Sequence, residues 1–239
     1  MKKKSTQSPI RQRSLNSAYF EYLETPVVGP DSIRRQPAAS NFVDRLRELD
    51  AQQKSGFDIA SLLIEPMQAG RLYFWNDLHL GHQALEKLRG RSASETDSLL
   101  LTNALNTVTK NDILIFGGDV SMTDADVTNA WLRQIPATKI LVLGNHDCDK
   151  HARTILKLAV DTVVSTIELP GYFITHYPVP EKVMDAARPG ELITNLHGHV
   201  HASTLNPDEF GSGRRHRNMS VEKTGYRPVT LPDLLAMAI

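Results

Sequence analysis

One cysteine in 239 residues cannot form an internal disulfide, a cysteine-based zinc knuckle or an iron–sulfur cluster, and it suits a reducing, cytoplasmic compartment. No apolar run is long enough to cross a membrane as a helix, so no membrane partner is expected. Aromatic residues make up only 6% of the chain, too few for a long base-stacking platform. Net charge is missing as well: 27 Lys and Arg stand against 27 Asp and Glu, so any nucleic-acid partner needs a local patch. What is present is 41% hydrophobic residues, enough for a globular core, and nine histidines.

The first twenty residues carry Lys2, Lys3, Lys4, Arg11 and Arg13 with no acid. No long apolar run follows them, so they do not read as a secretory signal. With Pro9, Pro26, Pro30 and Pro37, residues 1–40 read as a basic, flexible N-terminal arm. From Asn41, the spacing of Phe42, Val43, Leu46 and Leu49 predicts a helix ending near Gly56, and residues 41–70 form an N-terminal helical extension. From Arg71 the pattern changes. The short apolar runs Leu72–Trp75, Ile113–Phe116, Ile140–Leu143, Tyr172–Thr175 and Ile193–Leu196 predict buried strands. Helix-like stretches lie between them at Glu95–Val108, Asp124–Gln134 and Lys150–Val160. Strands alternating with helices predict an α/β domain over 71–239, with its ligand site at the carboxyl ends of the strands.

The residues that follow these strands are metal ligands or phosphate binders by chemistry. Asp77 and His79 come after the first strand and His199 and His201 after the last; in extended chain a spacing of two turns both side chains to one side. Gly118 and Asp119 follow the second strand, Gly144, Asn145, His146 and Asp147 the third, and His176 the fourth. Singly, each has a plain alternative as a cap, a turn former or a satisfied histidine. Jointly, five strand ends deliver Asp, Asn or His, none of which helps a hydrophobic core.

In order and approximate spacing, Asp77-Leu78-His79, Gly118-Asp119, Gly144-Asn145-His146-Asp147, His176 and Gly198-His199-Val200-His201 resemble the signature of the calcineurin-like metallophosphoesterases. The likeness runs from about Arg71 to the end and is nearest the small single-domain bacterial and phage members. It implies a four-layer αββα sandwich of two mixed sheets flanked by helices. It also implies two divalent metal ions, manganese foremost and iron, zinc or nickel as alternatives. Asp77, His79 and His201 would hold one ion, Asn145, His176 and His199 the other, with Asp119 bridging. The implied reaction is hydrolysis of a phosphomonoester or small phosphodiester, nucleotides included, by a hydroxide between the ions. His146 would steady the transition state or protonate the leaving oxygen, with Asp147 orienting its ring or capping a following helix. A protein phosphatase, a nuclease, or a silent binding module on the same fold are the alternatives.

Weaker candidates surround this set. His82 is expected either to touch substrate or an ion, or to lie on the surface; His197 either fixes a ligand imidazole or is structural. Arg214, Arg215 and Arg217, in a basic loop between glycines, are candidate substrate contacts for a phosphate tail or a nucleic-acid backbone. Cys148 is not expected to be a ligand, and His151 and His216 have no assigned work.

Overall fold

A computed structural model describes residues 14–25, 40–53, 59–148 and 159–237. Three helices come first: α1 (Leu15–Glu24), α2 (Ser40–Gln53) and α3 (Ile59–Gln68). Then β1 (Leu72–Trp75) leads through a 3-10 turn to α4 (Glu86–Arg89) and α5 (Ala93–Thr107), followed by β2 (Ile113–Phe116), α6 (Ala125–Leu132) and β3 (Thr138–Val142). A second 3-10 turn, His146–Cys148, precedes β4 (Thr162–Val164), β5 (Ile167–Leu169) and β6 (Tyr172–Ile174). The chain closes with α7 (Glu181–Ala187), β7 (Thr194–His197), α8 (Pro207–Phe210), β8 (His216–Asn218), β9 (Val229–Thr230) and α9 (Leu231–Ala236).

The strands form two mixed sheets. One has the order β4-β3-β2-β1-β9, parallel except for β9; the other has the order β5-β6-β7-β8, parallel except for β5. The alternation of side chains along each strand divides the core in two. Leu72, Phe74, Ile115, Ile140 and Val142 of the first sheet join Ile174 and Leu196 of the second in a core between the sheets. Their sequence neighbours Trp75, Leu114, Phe116 and Leu141 turn the other way, towards Leu100 and Ala104 of α5 and Leu132 of α6. On the second sheet Phe173 faces outward to helices, its ring centre 6.1 Å from that of Tyr19 of α1 in an edge-to-face contact. Two sheets face to face with helices outside each are the expected α/β sandwich.

Register then aligns the functional ends. Trp75 pairs with Phe116 and Phe116 with Leu141, so the segments after β1, β2 and β3 leave the sheet along one edge. Ile174 pairs with Leu196, which sets His176 beside the segment after β7. An isolated parallel bridge, Asn76 to Ser220, joins the end of β1 to the segment after β8.

The structure differs from the sequence reading in several elements. Residues 15–24, assigned to a flexible arm, form a helix whose Leu15, Ala18, Tyr19, Phe20 and Leu23 are buried. Its apolar side chains recur every three to four residues, which the prolines around it obscured. The rest of the expected arm, 1–13 and 26–39, lies outside the described residues, as do 150–158 of the helix expected at Lys150–Val160. Helix α5 starts two residues earlier than expected because Ser92 and Glu95 cap it reciprocally: Ser92 Oγ accepts from Glu95 N at 3.2 Å and Glu95 accepts from Ser92 N at 2.8 Å.

Candidate metal centre

At this sheet edge three overlapping groups of side chains each bring one donor atom apiece within 4.8 Å of one another: Asp77, His79 and His201; His79, Asp119 and His146; and Asp119, His176 and His199. His79 is common to the first and second groups, and Asp119 to the second and third. Asp119 Oδ2 lies 3.6 Å from His79 Nε2 and 3.2 Å from His176 Nε2, while its Oδ1 accepts from the His146 backbone N–H at 2.8 Å. Asn145 joins the third group, with Oδ1 3.0 Å from His176 Nε2.

Backbone conformation aims these side chains. Asp77, His79, Asp119, His199 and His201 all have left-handed φ, between 49° and 68°. In place of the extended chain expected from the spacing of two, both Asp-x-His and His-x-His turn through residues of left-handed φ. Backbone hydrogen bonds pin them, Asp77 N to Gly118 O at 3.1 Å and His79 N to Asp119 O at 3.0 Å. Asp77 Oδ2 accepts from His199 N at 2.9 Å and from Ser220 Oγ at 2.7 Å, tying the two turns together. Glycine is required where loops meet: a Cβ on Gly144 would overlap the Asp119 carboxylate, and one on Gly198 would overlap Asn76 and Asp77.

The donor set fits cations. Asp77 and Asp119 are buried carboxylates, and His79 is 2% exposed with neither ring nitrogen hydrogen-bonded; Asp77 Oδ1 is likewise buried without a partner. Buried polar atoms left this way are costly unless something binds them. His176 shows the same need by its tautomer. Its Nδ1 is 3.0 Å from Gly117 O, which only accepts, so Nδ1 carries the proton. Nε2 faces two acceptors, Asn145 Oδ1 and Asp119 Oδ2, an arrangement that needs a positive charge, supplied by a proton on Nε2 or by a cation that displaces it. Burial alone would depress the His176 pKa, but Asp119 and Asp77 raise it to about 9. Asp119 is itself held well below the usual carboxylate range: burial opposes its charge, and His176 and His79 overcome that. His79 and His199 are pushed down chiefly by burial, His199 to about 3, so both present neutral imidazole, the form that binds metal.

The other expected residues fall as follows. His146 is half-buried, its ring 5.2 Å from that of His79. Asp147 is buried and accepts three backbone N–H groups, from Asp119 at 2.8 Å, Gly144 at 2.9 Å and Val120 at 3.1 Å. It therefore clamps the loop after β2 to the loop after β3. His82 is half-buried beside the cluster, 5.2 Å from His79 and 6.3 Å from His146 between ring centres. His197 is buried with Nδ1 3.0 Å from Gly198 O and its ring 5.6 Å from His216. Arg215 is committed to Asp185 and to the Ile193 carbonyl, Arg214 is exposed, and Arg217 bonds the carbonyls of Arg214 and His216. None of the three arginines has a hydrogen bond or ion pair to the donor groups.

Two residues went unnoticed in the sequence. Arg89, buried, donates to the carbonyls of Asp77 at 2.7 Å and Leu78 at 2.9 Å, holding the first left-handed turn. Glu222 lies against both Arg89 and His201. Neither sits at a strand end, so nothing in the spacing marked them.

A model of the calcineurin-like phosphoesterase family matches residues 70–233. No curated protein matches the chain significantly. Among solved structures, a protein of unknown function from Aquifex aeolicus is similar to 68% of this chain and 96% of its own, with 28% identity and a TM-score of 0.52.

Proposed function

The chain belongs to the calcineurin-like phosphoesterase family of metal-dependent phosphoester hydrolases, and we propose that it is a dinuclear phosphohydrolase acting on phosphomonoesters or small phosphodiesters, nucleotides among them. The observation that carries this reading is the Asp119 carboxylate shared between His79 and His176. In the proposal Asp77, His79 and His201 would hold one divalent cation and Asn145, His176 and His199 the other, with Asp119 the carboxylate common to both sets. Imidazoles with carboxylates and no thiolate favour manganese, iron, zinc or nickel over calcium, and manganese is the one proposed. Two such cations supply charge to clamp a phosphoryl group and to acidify water near neutral pH.

The protein's own residues do the rest. Asp147 and the glycines fix the loops, Arg89 holds the first turn, and the Gly117 carbonyl keeps His176 in the tautomer whose Nε2 faces the site. His146 stands outside the proposed ligand set, next to His79, and a half-exposed imidazole there can hold a proton for a departing alkoxide. His82 borders the same group and contacts substrate in this reading. No helix among the described residues is long and apolar enough to cross a membrane. The single cysteine supports a cytoplasmic setting.

The test is metal dependence. Chelator-stripped protein should be inactive on a chromogenic phosphomonoester and phosphodiester and regain activity with manganese. Turnover that survives thorough metal removal would overturn the reading.

A further inference from the structure

Beside the centre, on the flank of the sandwich where β8, α8 and α9 meet, lies a cavity of about 400 Å³. That is within the span of roughly 300 to 1,000 Å³ common for small-molecule sites. Its charged lining among the described residues is Arg217 and Lys223, joined by the hydroxyls of Ser203 and Thr204, while the Ser212 hydroxyl donates to Glu181 at 2.9 Å. Leu205, Leu234 and Met237 give it an apolar wall. The basic loop singled out in the sequence thus contributes one arginine here, while Arg215 is spent on Asp185.

Two lining residues hold buried polar atoms that lack a partner, Arg217 Nε and His216 Nδ1. His216 is 4% exposed, and its Nε2 is 3.3 Å from Phe210 O, which only accepts. The proton therefore belongs on Nε2, and Nδ1 is a bare acceptor. An occupant must then offer several acceptors to Arg217, Lys223 and the hydroxyls, at least one donor to His216, and an apolar face to Leu234 and Met237. A phosphate has the acceptors, sugar hydroxyls have the donors, and a base has the face.

We propose that this cavity is a second binding site, separate from the metal centre, that takes a mononucleotide. Its placement gives it a connection to the centre: Asn218, which lines the cavity, donates to the His201 carbonyl at 2.7 Å. The proposal does not depend on the phosphohydrolase reading, since it concerns residues outside the donor groups.

The test is calorimetric titration of adenosine 5′-monophosphate into the full chain in chelator, where hydrolysis and phosphate capture by cations are both removed. One equivalent should bind, at least tenfold more weakly in Lys223→Ala and in Arg217→Ala, and with unchanged affinity in Asp119→Asn. Ribose 5-phosphate should bind at least tenfold more weakly than the nucleotide. Absent binding, binding that ignores Lys223, or binding lost in Asp119→Asn would overturn the proposal, and equal affinity for ribose 5-phosphate would overturn the nucleotide assignment. Should Arg217→Ala fail to fold, the exposed Lys223 carries the test alone through Lys223→Glu, expected to abolish binding.

Discussion

A single carboxylate oxygen of Glu222, Oε1, receives both His201 Nδ1 at 3.2 Å and Arg89 Nε at 2.9 Å. The bond places the His201 proton on Nδ1 and leaves Nε2 for the centre, while the same Arg89 holds the carbonyls of Asp77 and Leu78. Burial resists both charges, yet Glu222 raises the His201 pKa, and His201 with Arg89 lowers that of Glu222.

Glu222→Ala should therefore weaken metal binding by about 10- to 100-fold. Competition against a chromogenic chelator reads this directly, without activity. Glu222→Gln, whose amide oxygen still accepts from His201, should recover part of the loss; equal damage from both variants would mean that Glu222 acts through the fold alone.

Asp119→Asn and His146→Asn should separate metal holding from chemistry. The first touches both donor groups and should strip both equivalents of metal, measured by elemental analysis. The second should retain metal while turnover falls by about 100-fold or more, the scale of a lost proton-transfer group. A metal-depleted His146→Asn protein would make His146 a ligand, in line with its place beside His79 and Asp119.

Removing residues 1–25 should destabilise the catalytic domain. The deletion takes away buried Leu15, Tyr19, Phe20 and Leu23, each worth about 1.5–3 kcal/mol when fully buried. It also removes the Tyr19 hydroxyl that accepts from the Tyr177 backbone N–H at 3.2 Å, one residue from His176. Thermal unfolding of the truncated chain should begin many degrees lower, and an unchanged midpoint would refute the packing role of α1.

Acid should unfold the protein partly through His216. Burial, against the pull of the Phe210 carbonyl, lowers its pKa to about 4 in the fold, while an unfolded histidine titrates near 6.5. The unfolded chain thus binds more protons between these values. Stability from this group is complete above about pH 6.5 and drains away as pH falls to about 4. Denaturant unfolding at pH 7, 5.5 and 4.5 should show the decline, and His216→Asn should flatten it.

The strand ends were legible because a buried strand announces itself as an apolar run and a catalytic loop as the polar break after it. Trp75 to Asp77 and Phe116 to Asp119 are both of that kind. Strands β4 and β5, three residues each with half-buried polar positions, have no such contrast. Arg89 and Glu222 resemble ordinary surface charges in sequence and become interior only because the chain folds α4 and the segment after β8 onto one turn. Asp147 was visible, but its role was not: three backbone partners leave no trace in spacing. The pairing of Asp77 with His79 was anticipated for a reason that fails, since the two meet through left-handed turns and not along a strand.

Those left-handed turns set stability against activity. Asp77, His79, Asp119, His199 and His201 each hold a conformation that costs a side-chain-bearing residue about 1 kcal/mol or more and costs glycine almost nothing. Glycine at any of the five would relax the backbone while deleting a donor. Laboratory evolution for heat resistance, if blind to activity, would thus be drawn towards erasing the centre, and variants recovered that way should gain melting temperature as they lose the capacity to hold metal.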